Sequence, residues 1–251
     1  MAWLDPFPLG LIAFAILLAL LAAAEAGYHG HRWLLKRRGE GGGDSHDHLL
    51  TAILGLLALL MGFTFSLALN RYEARRELVV QEANALGTTW LRAQLAEPAH
   101  KVEISGLLRD YLNVRLAWSE AATPQVDART DELQRKLWAA TGQVVRTDSQ
   151  LSRPLIDAMN QSFDLAATRA AMRSAHVPDR VLDVLLLYAL LSAAMLGYAS
   201  AAKGKPQRIA TSAVMLLLTL AMVMILDIDR PRSGAIQVSQ QPLEELKQSW
   251  R

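Results

Sequence analysis

The chain has 251 residues, enough for one or two domains, of which 52% are apolar and 20% charged. Its formal net charge of +2 is too small for a nucleic-acid binder, and the lack of cysteine excludes a disulfide framework, a thiolate metal site and a thiol nucleophile. The apolar residues gather in four blocks with the charges between them, which argues against a soluble enzyme, a disordered chain and a coiled coil.

Residues 9–24 carry no charge and are rich in Leu and Ala; the block reaches a spanning length by recruiting Pro8 and residues 25–28. Its start, Met1-Ala2-Trp3-Leu4-Asp5, lacks the basic stretch of a cleaved signal peptide, so a retained span is expected. Blocks 49–69, 184–202 and 209–226 are likewise uncharged. A helix rises ~1.5 Å per residue, so ~20 apolar residues cover a ~30 Å hydrocarbon core. The expected fold is an all-α integral membrane protein with four transmembrane helices. Residues 1–69 form the first pair with a Gly/His-rich connecting loop, 70–179 an inserted extramembrane helical domain, 180–226 the second pair, and 227–251 a C-terminal tail. Residues 39–44, four glycines with Glu40 and Asp44, read as a flexible stretch, and 203–207 as a tight hairpin loop.

The middle region reads as amphipathic helices. Residues 71–97 contain no proline and continue straight out of the second span; Pro98 is expected to end that helix. Residues 101–122 place Leu108, Leu112 and Leu116 on one face. Leu133, Leu137, Ala140 and Val144 recur at helical spacing, as do Leu155, Met159, Phe163 and Ala166, with Pro124 and Pro154 as the expected breaks. Trp90, Trp118 and Trp138 are expected in the bundle core, and Trp250 at an interface. The positive-inside rule puts Arg32, Lys36, Arg37, Arg38, Lys203, Lys205 and Arg208 in the cytoplasm and the helical domain outside. Arg71, Arg75, Arg76, Arg169, Arg173, Arg180, Arg230 and Arg232 near the opposite membrane ends pull the other way, so the side of the 70–179 domain stays open.

Several groups are candidates for chemistry. Glu25 is an ionisable residue near the end of the first span, where such groups mark functional sites or sit at the headgroup level. His29, His31, His46 and His48 share a loop with Asp44 and Asp47. His and carboxylate at such short spacing can bind zinc or nickel, with His46 and His48 as the candidates, but nothing orients the rings, and solvated loop histidines are the simpler expectation. Asp183 reads as an interfacial or capping residue. No phosphate loop, nucleophile elbow or HExxH is present, so neither an enzyme nor a cofactor is expected.

The most informative stretch is 60–75, where a fully apolar helix becomes densely charged without a breaker. Arg71 and Arg75 are neighbours at i, i+4, as are Glu73 and Glu77, so the helix must enter a protein domain or a wet vestibule. Gly62-Phe63, Ser66-Leu67 and Arg71-Tyr72 stand at the spacing of the pore helix of bestrophins, pentameric anion channels with four spans per subunit. The chain resembles more closely a bacterial bestrophin-like family of uncharacterised membrane proteins. The hallmarks are 71–76, 82–88, Leu91-Arg92 and, after the fourth span, Asp227-Ile228-Asp229-Arg230-Pro231-Arg232-Ser233-Gly234.

The resemblance implies a homo-oligomer, a pentamer in bestrophins, in a bacterial inner membrane. The second span would line an axial anion (chloride) pore, with Phe63, Leu59 and Gly55 as its neck and Ser66, Asn70, Arg71, Glu73 and Arg75 continuing the pore helix. The spacing of four puts the neck residues on one helical stripe. Gly55 departs from the bulky residue expected there, which shortens or widens the constriction. The calcium-binding acidic cluster of bestrophins is not recognisable: Asp227 and Asp229 stand beside Arg230 and Arg232, as in a salt-bridged turn. The expected partners are the bilayer, further copies of the chain and anions, with no nucleic acid. The alternative is a non-channel accessory, scaffold or sensor protein whose helical domain binds a protein partner.

Overall fold

A computed structural model describes residues 7–38, 46–147, 149–202, 207–230 and 234–250; the glycine run, Asp44 and 203–206 lie outside them. Among the described residues the regular structure is helical: α1 (Leu9–Arg38), α2 (His46–Ala93), α3 (Pro98–Glu120), α4 (Pro124–Thr147), α5 (Ser149–Ser174), α6 (Asp179–Ala202), α7 (Arg208–Asp229) and α8 (Gln241–Ser249). The four apolar blocks fall in α1, α2, α6 and α7, and all four lie in helices long and apolar enough to cross a membrane.

Three boundaries differ from expectation, each for a local reason. α1 runs to Arg38, ten residues beyond Tyr28, because the basic stretch is made of good helix formers. There Arg32 lies over the Tyr28 ring and Arg37 over Trp33 one turn back. Pro98 opens α3 rather than ending α2: α2 stops at Ala93, and Glu97 sits at φ −52°, ψ 149°, the extended backbone that a following proline imposes. Pro154 lies inside α5 and does not break it. Only five residues precede it in the helix, so its ring meets the first turn alone and little helix is lost.

The chain divides into two compact units, Met1–Arg71 with His176–Gln237, and Tyr72–Ala175 with Val238–Arg251. The segment after the fourth span is shared between them. In the first unit α1 packs along α6 and α7. At the α1–α6 crossing a β-carbon on Gly27 would collide with the Ala194 backbone, and one on Gly197 with the Ala24 backbone. Lipid offers no hydrophobic drive for helix pairing, so close contact through small residues supplies it. At the end of α7 two carboxylates hold backbone amides. Asp229 Oδ1 accepts from the Val177 N–H at 2.9 Å, and Asp227 Oδ1 from the Ala235 N–H at 2.8 Å.

In the second unit Leu108, Leu112, Leu133, Leu137, Val144, Leu155 and Met159 form a closed core. Trp118 is buried as expected, but Trp138 is 47% exposed, because it follows Leu137 on α4 and faces away from the core row. Trp250 is buried, not interfacial: it stacks on Trp90 at 4.4 Å, and its carbonyl accepts from Arg109 Nη2 at 2.8 Å. Tyr111 is buried in this core and its hydroxyl accepts from Gln134 Nε2 at 2.9 Å. Burial pushes its phenol up to about 12.

Two outcomes are expected. Gly197→Leu should cost the solubilised protein about 1–3 kcal/mol through overpacking, read as an earlier thermal transition, whereas Gly10→Ala, with open space around it, leaves the transition in place. The raised Tyr111 pKa adds stability that is complete below the ordinary phenol value of ~10 and fades as pH climbs through about 12. Wild type should therefore lose stability across that interval more steeply than Tyr111→Phe in alkaline unfolding curves.

Candidate functional site

α2 carries the residues singled out by the sequence. Its 48 residues correspond to ~72 Å at ~1.5 Å per residue, more than twice a hydrocarbon core. Over 51–70 most positions outside the row of Leu57, Met61, Thr64 and Ala68 are open, Leu56, Leu67 and Leu69 among them, and beyond Arg71 exposure follows the helical period. Gly55, Leu59, Phe63, Ser66, Asn70, Glu73, Glu77, Gln81 and Asn84 are exposed, and Thr88 half-buried, in one row spaced by three and four. Leu57, Met61, Thr64, Ala68, Arg75, Val79, Glu82, Leu86, Thr89 and Ala93 are buried in the opposite row.

The three expected neck residues thus share one open face. Phe63 is 66% exposed and Leu59 53%, although they lie in an apolar block, and nothing stands within 4 Å of a β-carbon built on Gly55. Further along the row the chemistry turns polar: Glu73 pairs with Arg76 at 3.6 Å, and Gln81 Nε2 donates to Glu77 at 2.9 Å.

Arg71 and Arg75 fall on the buried side of α2. Arg71 is half-buried, and its Nε has no hydrogen-bond partner among the described residues. Arg75 donates from Nε to the Met172 carbonyl at 3.3 Å and from Nη2 to the Ala175 carbonyl at 2.7 Å. These carbonyls end α5, where backbone acceptors lack helical partners and a cation is favoured.

One turn and more beyond Arg75, the buried row holds a full charge. Glu82 is completely buried and accepts from Arg115 Nε at 2.6 Å and from Arg169 Nη1. Arg169 Nη2 also donates to Ser119 Oγ at 3.1 Å and to Gln240 Oε1 at 2.9 Å. Burial holds the Arg169 guanidinium below its ordinary range, and Glu82 pulls it back. Trp118 is ringed by Arg115 at 4.4 Å, Arg173 at 4.6 Å and Arg169 at 5.5 Å, and its carbonyl accepts from Arg173. Deeper still, the Thr89 hydroxyl lies 2.9 Å from that of Ser162. Sequence reasoning missed this cluster. Its signal was available: Glu82 and Arg115 stand at helical spacing among Val79, Leu86, Leu108 and Leu112, where a solvated charge does not belong.

The other candidates lie apart from this face. Glu25 is 48% exposed, 3.7 Å from His29 and 3.5 Å from Arg208. His31 is buried edge-on to Tyr198, with Nδ1 lacking a hydrogen-bond partner among the described residues. His48 is exposed on α2, and the side chain of His46 lies outside the described residues. Among the described residues no three His, Asp or Glu side chains converge as metal ligands. Asp183 is exposed on α6.

A family model described as a Bestrophin-like domain matches residues 17–243. The chain belongs to the bestrophin-like family. Its fold is similar to that of a bacterial bestrophin homolog from Klebsiella pneumoniae. In a crystal structure phased on zinc, the similarity covers 94% of this chain and 96% of that one, with a TM-score of 0.72 and 12% identity. A point mutant of that homolog gives the same figures. A further crystal structure, of a protein called only a membrane protein, gives a TM-score of 0.73 at 13% identity, over 94% of this chain and 97% of that one. No curated protein matches in sequence. The identity is low, so these solved structures establish the fold of this bestrophin-like chain and leave its ion chemistry to its own residues.

The buried cluster makes a direct prediction. Removing one partner of a buried ion pair costs about 3–5 kcal/mol, so Glu82→Ala should lower the thermal transition sharply, and a Glu82→Leu, Arg115→Met, Arg169→Met triple variant should regain most of it. A Glu82→Ala protein that melts with wild type would remove the structural role of the cluster.

Proposed function

We propose that copies of this chain assemble around a shared axis in a bacterial inner membrane, with the exposed row of α2 lining a path for ions. One observation carries this reading: the exposed stripe that holds Leu59 and Phe63 runs on through Ser66, Asn70, Glu73, Glu77 and Gln81, so an apolar stretch continues into a polar one on a single helix face. Likeness to a family of oligomeric channels supports this reading, in which neighbouring copies bring the same row to the shared axis. Rings of Phe63 and Leu59 then form a hydrophobic neck that gates by dewetting, and Gly55 leaves it open on one side. Ser66 and Asn70 wet the row next to the neck. Arg71 stands behind the lining, and Arg75 fixes the helix from the back.

Chloride is the ion that the likeness to bestrophins brings. A second reading concerns its sign. Glu73 and Glu77 lie on the open row while Arg71 and Arg75 do not, and carboxylate rings favour cations.

Native mass spectrometry of the nanodisc complex should show one ring of several copies, five by family likeness. Reconstituted vesicles should then carry current. Phe63→Ala and Leu59→Ala should raise it about tenfold for each ~1.4 kcal/mol taken off the neck barrier. The reversal potential in a KCl gradient decides the sign of the ion. A complex of one or two copies, or unchanged current in both variants, defeats the neck assignment. Vesicles without current hand the function to the accessory or sensor reading.

A further inference from the structure

At one end of the membrane unit a small cleft opens where α1, the end of α6 and the start of α7 meet. Leu21, Glu25, Tyr28, Arg208, Thr211 and Ser212 are among the residues that line it, and its free volume is about 50 Å³. A water molecule's share of liquid volume is ~30 Å³. The cleft therefore has room for the oxygens of one compact polar group.

Its depth follows from the chain. Arg208 is the first residue of α7, and Tyr28 stands where the apolar block of α1 gives way to His29, Arg32, Lys36 and Arg37. Both mark the headgroup layer. Leu21 continues the wall towards the hydrocarbon, and Ile209 beside Arg208 is 90% exposed.

Two charged side chains, Arg208 and Glu25, line the cleft, and the charges beyond it on α1 are basic. Arg208 lines it, the Arg32 guanidinium lies 5.9 Å over the Tyr28 ring, and Lys36 and Arg37 are exposed one turn further along α1. Among the described residues that line the cleft, Glu25 is the one carboxylate. It meets Arg208 at 3.5 Å with both side chains well exposed, a pair that solvent makes weak. Thr211 and Ser212 add hydroxyls at the rim.

We infer that this cleft binds the phosphate of an anionic phospholipid, with Arg208 as its main cation, the hydroxyls of Tyr28, Thr211 and Ser212 as donors, and an acyl chain lying along Leu21. Glu25 competes with the phosphate for Arg208, which gives this ionisable residue a role as a modulator of lipid affinity. The assignment is independent of the ion path.

The protein in nanodiscs of mixed phosphatidylcholine and phosphatidylglycerol is released into detergent, and the retained lipids are weighed by native mass spectrometry. Wild type should retain phosphatidylglycerol over phosphatidylcholine. Arg208→Gln should lower that preference about fivefold, the worth of one basic side chain at an anionic surface, and Glu25→Gln should raise it. Both sites are exposed, so thermal transitions should match wild type. Equal retention of the two lipids by wild type, or an unchanged preference in Arg208→Gln, overturns the assignment. Inorganic phosphate in the release buffer separates the sources. A preference that survives it marks a lipid site, and one abolished by it marks a free-phosphate site and overturns the lipid assignment.

Discussion

The second helix must keep one phase over its whole length, and the rest of the molecule depends on this. Its buried row begins with Leu57 and Met61, passes through Arg75 and Glu82, and ends at Ala93. The open row runs on the other side without a slip. No proline occurs between His46 and Ala93, and the glycines inside, Gly55, Gly62 and Gly87, leave the helix unbroken. A kink anywhere would turn the two rows relative to each other. The same regularity therefore serves packing and exposure together.

Within the helical unit, buried charges fix the position of α2. A lone Glu82 would be prohibitive in an apolar bundle, and two guanidiniums from α3 and α5 offset it. The geometry has little slack, because Arg115 also stacks on Trp118, and Arg169 also reaches Ser119 and Gln240. Apolar residues can pack in several registers; a carboxylate that must meet two fixed guanidiniums selects one. Arg75 adds a separate lock by ending α5.

Much of this was legible in the sequence, and the gaps have physical causes. Four uncharged blocks gave the membrane helices because length and hydropathy decide spanning directly. The rows of Leu133 to Val144 and Leu155 to Ala166 gave core faces for the same periodic reason. Pro154 misled because a proline's effect depends on how much helix precedes it, which spacing does not reveal. Trp138 and Trp250 misled because residue type predicts burial only on average; the stack of Trp250 on Trp90 is a long-range contact with no local signature. Gly55, Leu59 and Phe63 were legible as one stripe, and in the structure that stripe is exposed along with Leu56, Leu67 and Leu69 beside it. The buried ion cluster was missed because charges in the middle region were read as solvated, although Glu82 stood among apolar residues at core spacing.

The crossing of α1 and α6 has a mechanical consequence. Gly27 receives the backbone of α6, and Gly197 receives that of α1, so each helix is notched into the other. Notches that face both ways resist sliding along the helix axes, since a shift by one residue would drive an alanine against a backbone. The two helices consequently behave as a single beam. Any rearrangement of the membrane unit must leave that beam rigid and be taken up by α2 or α7, whose lipid-facing sides carry larger and more adaptable side chains such as Leu217, Leu220 and Met224.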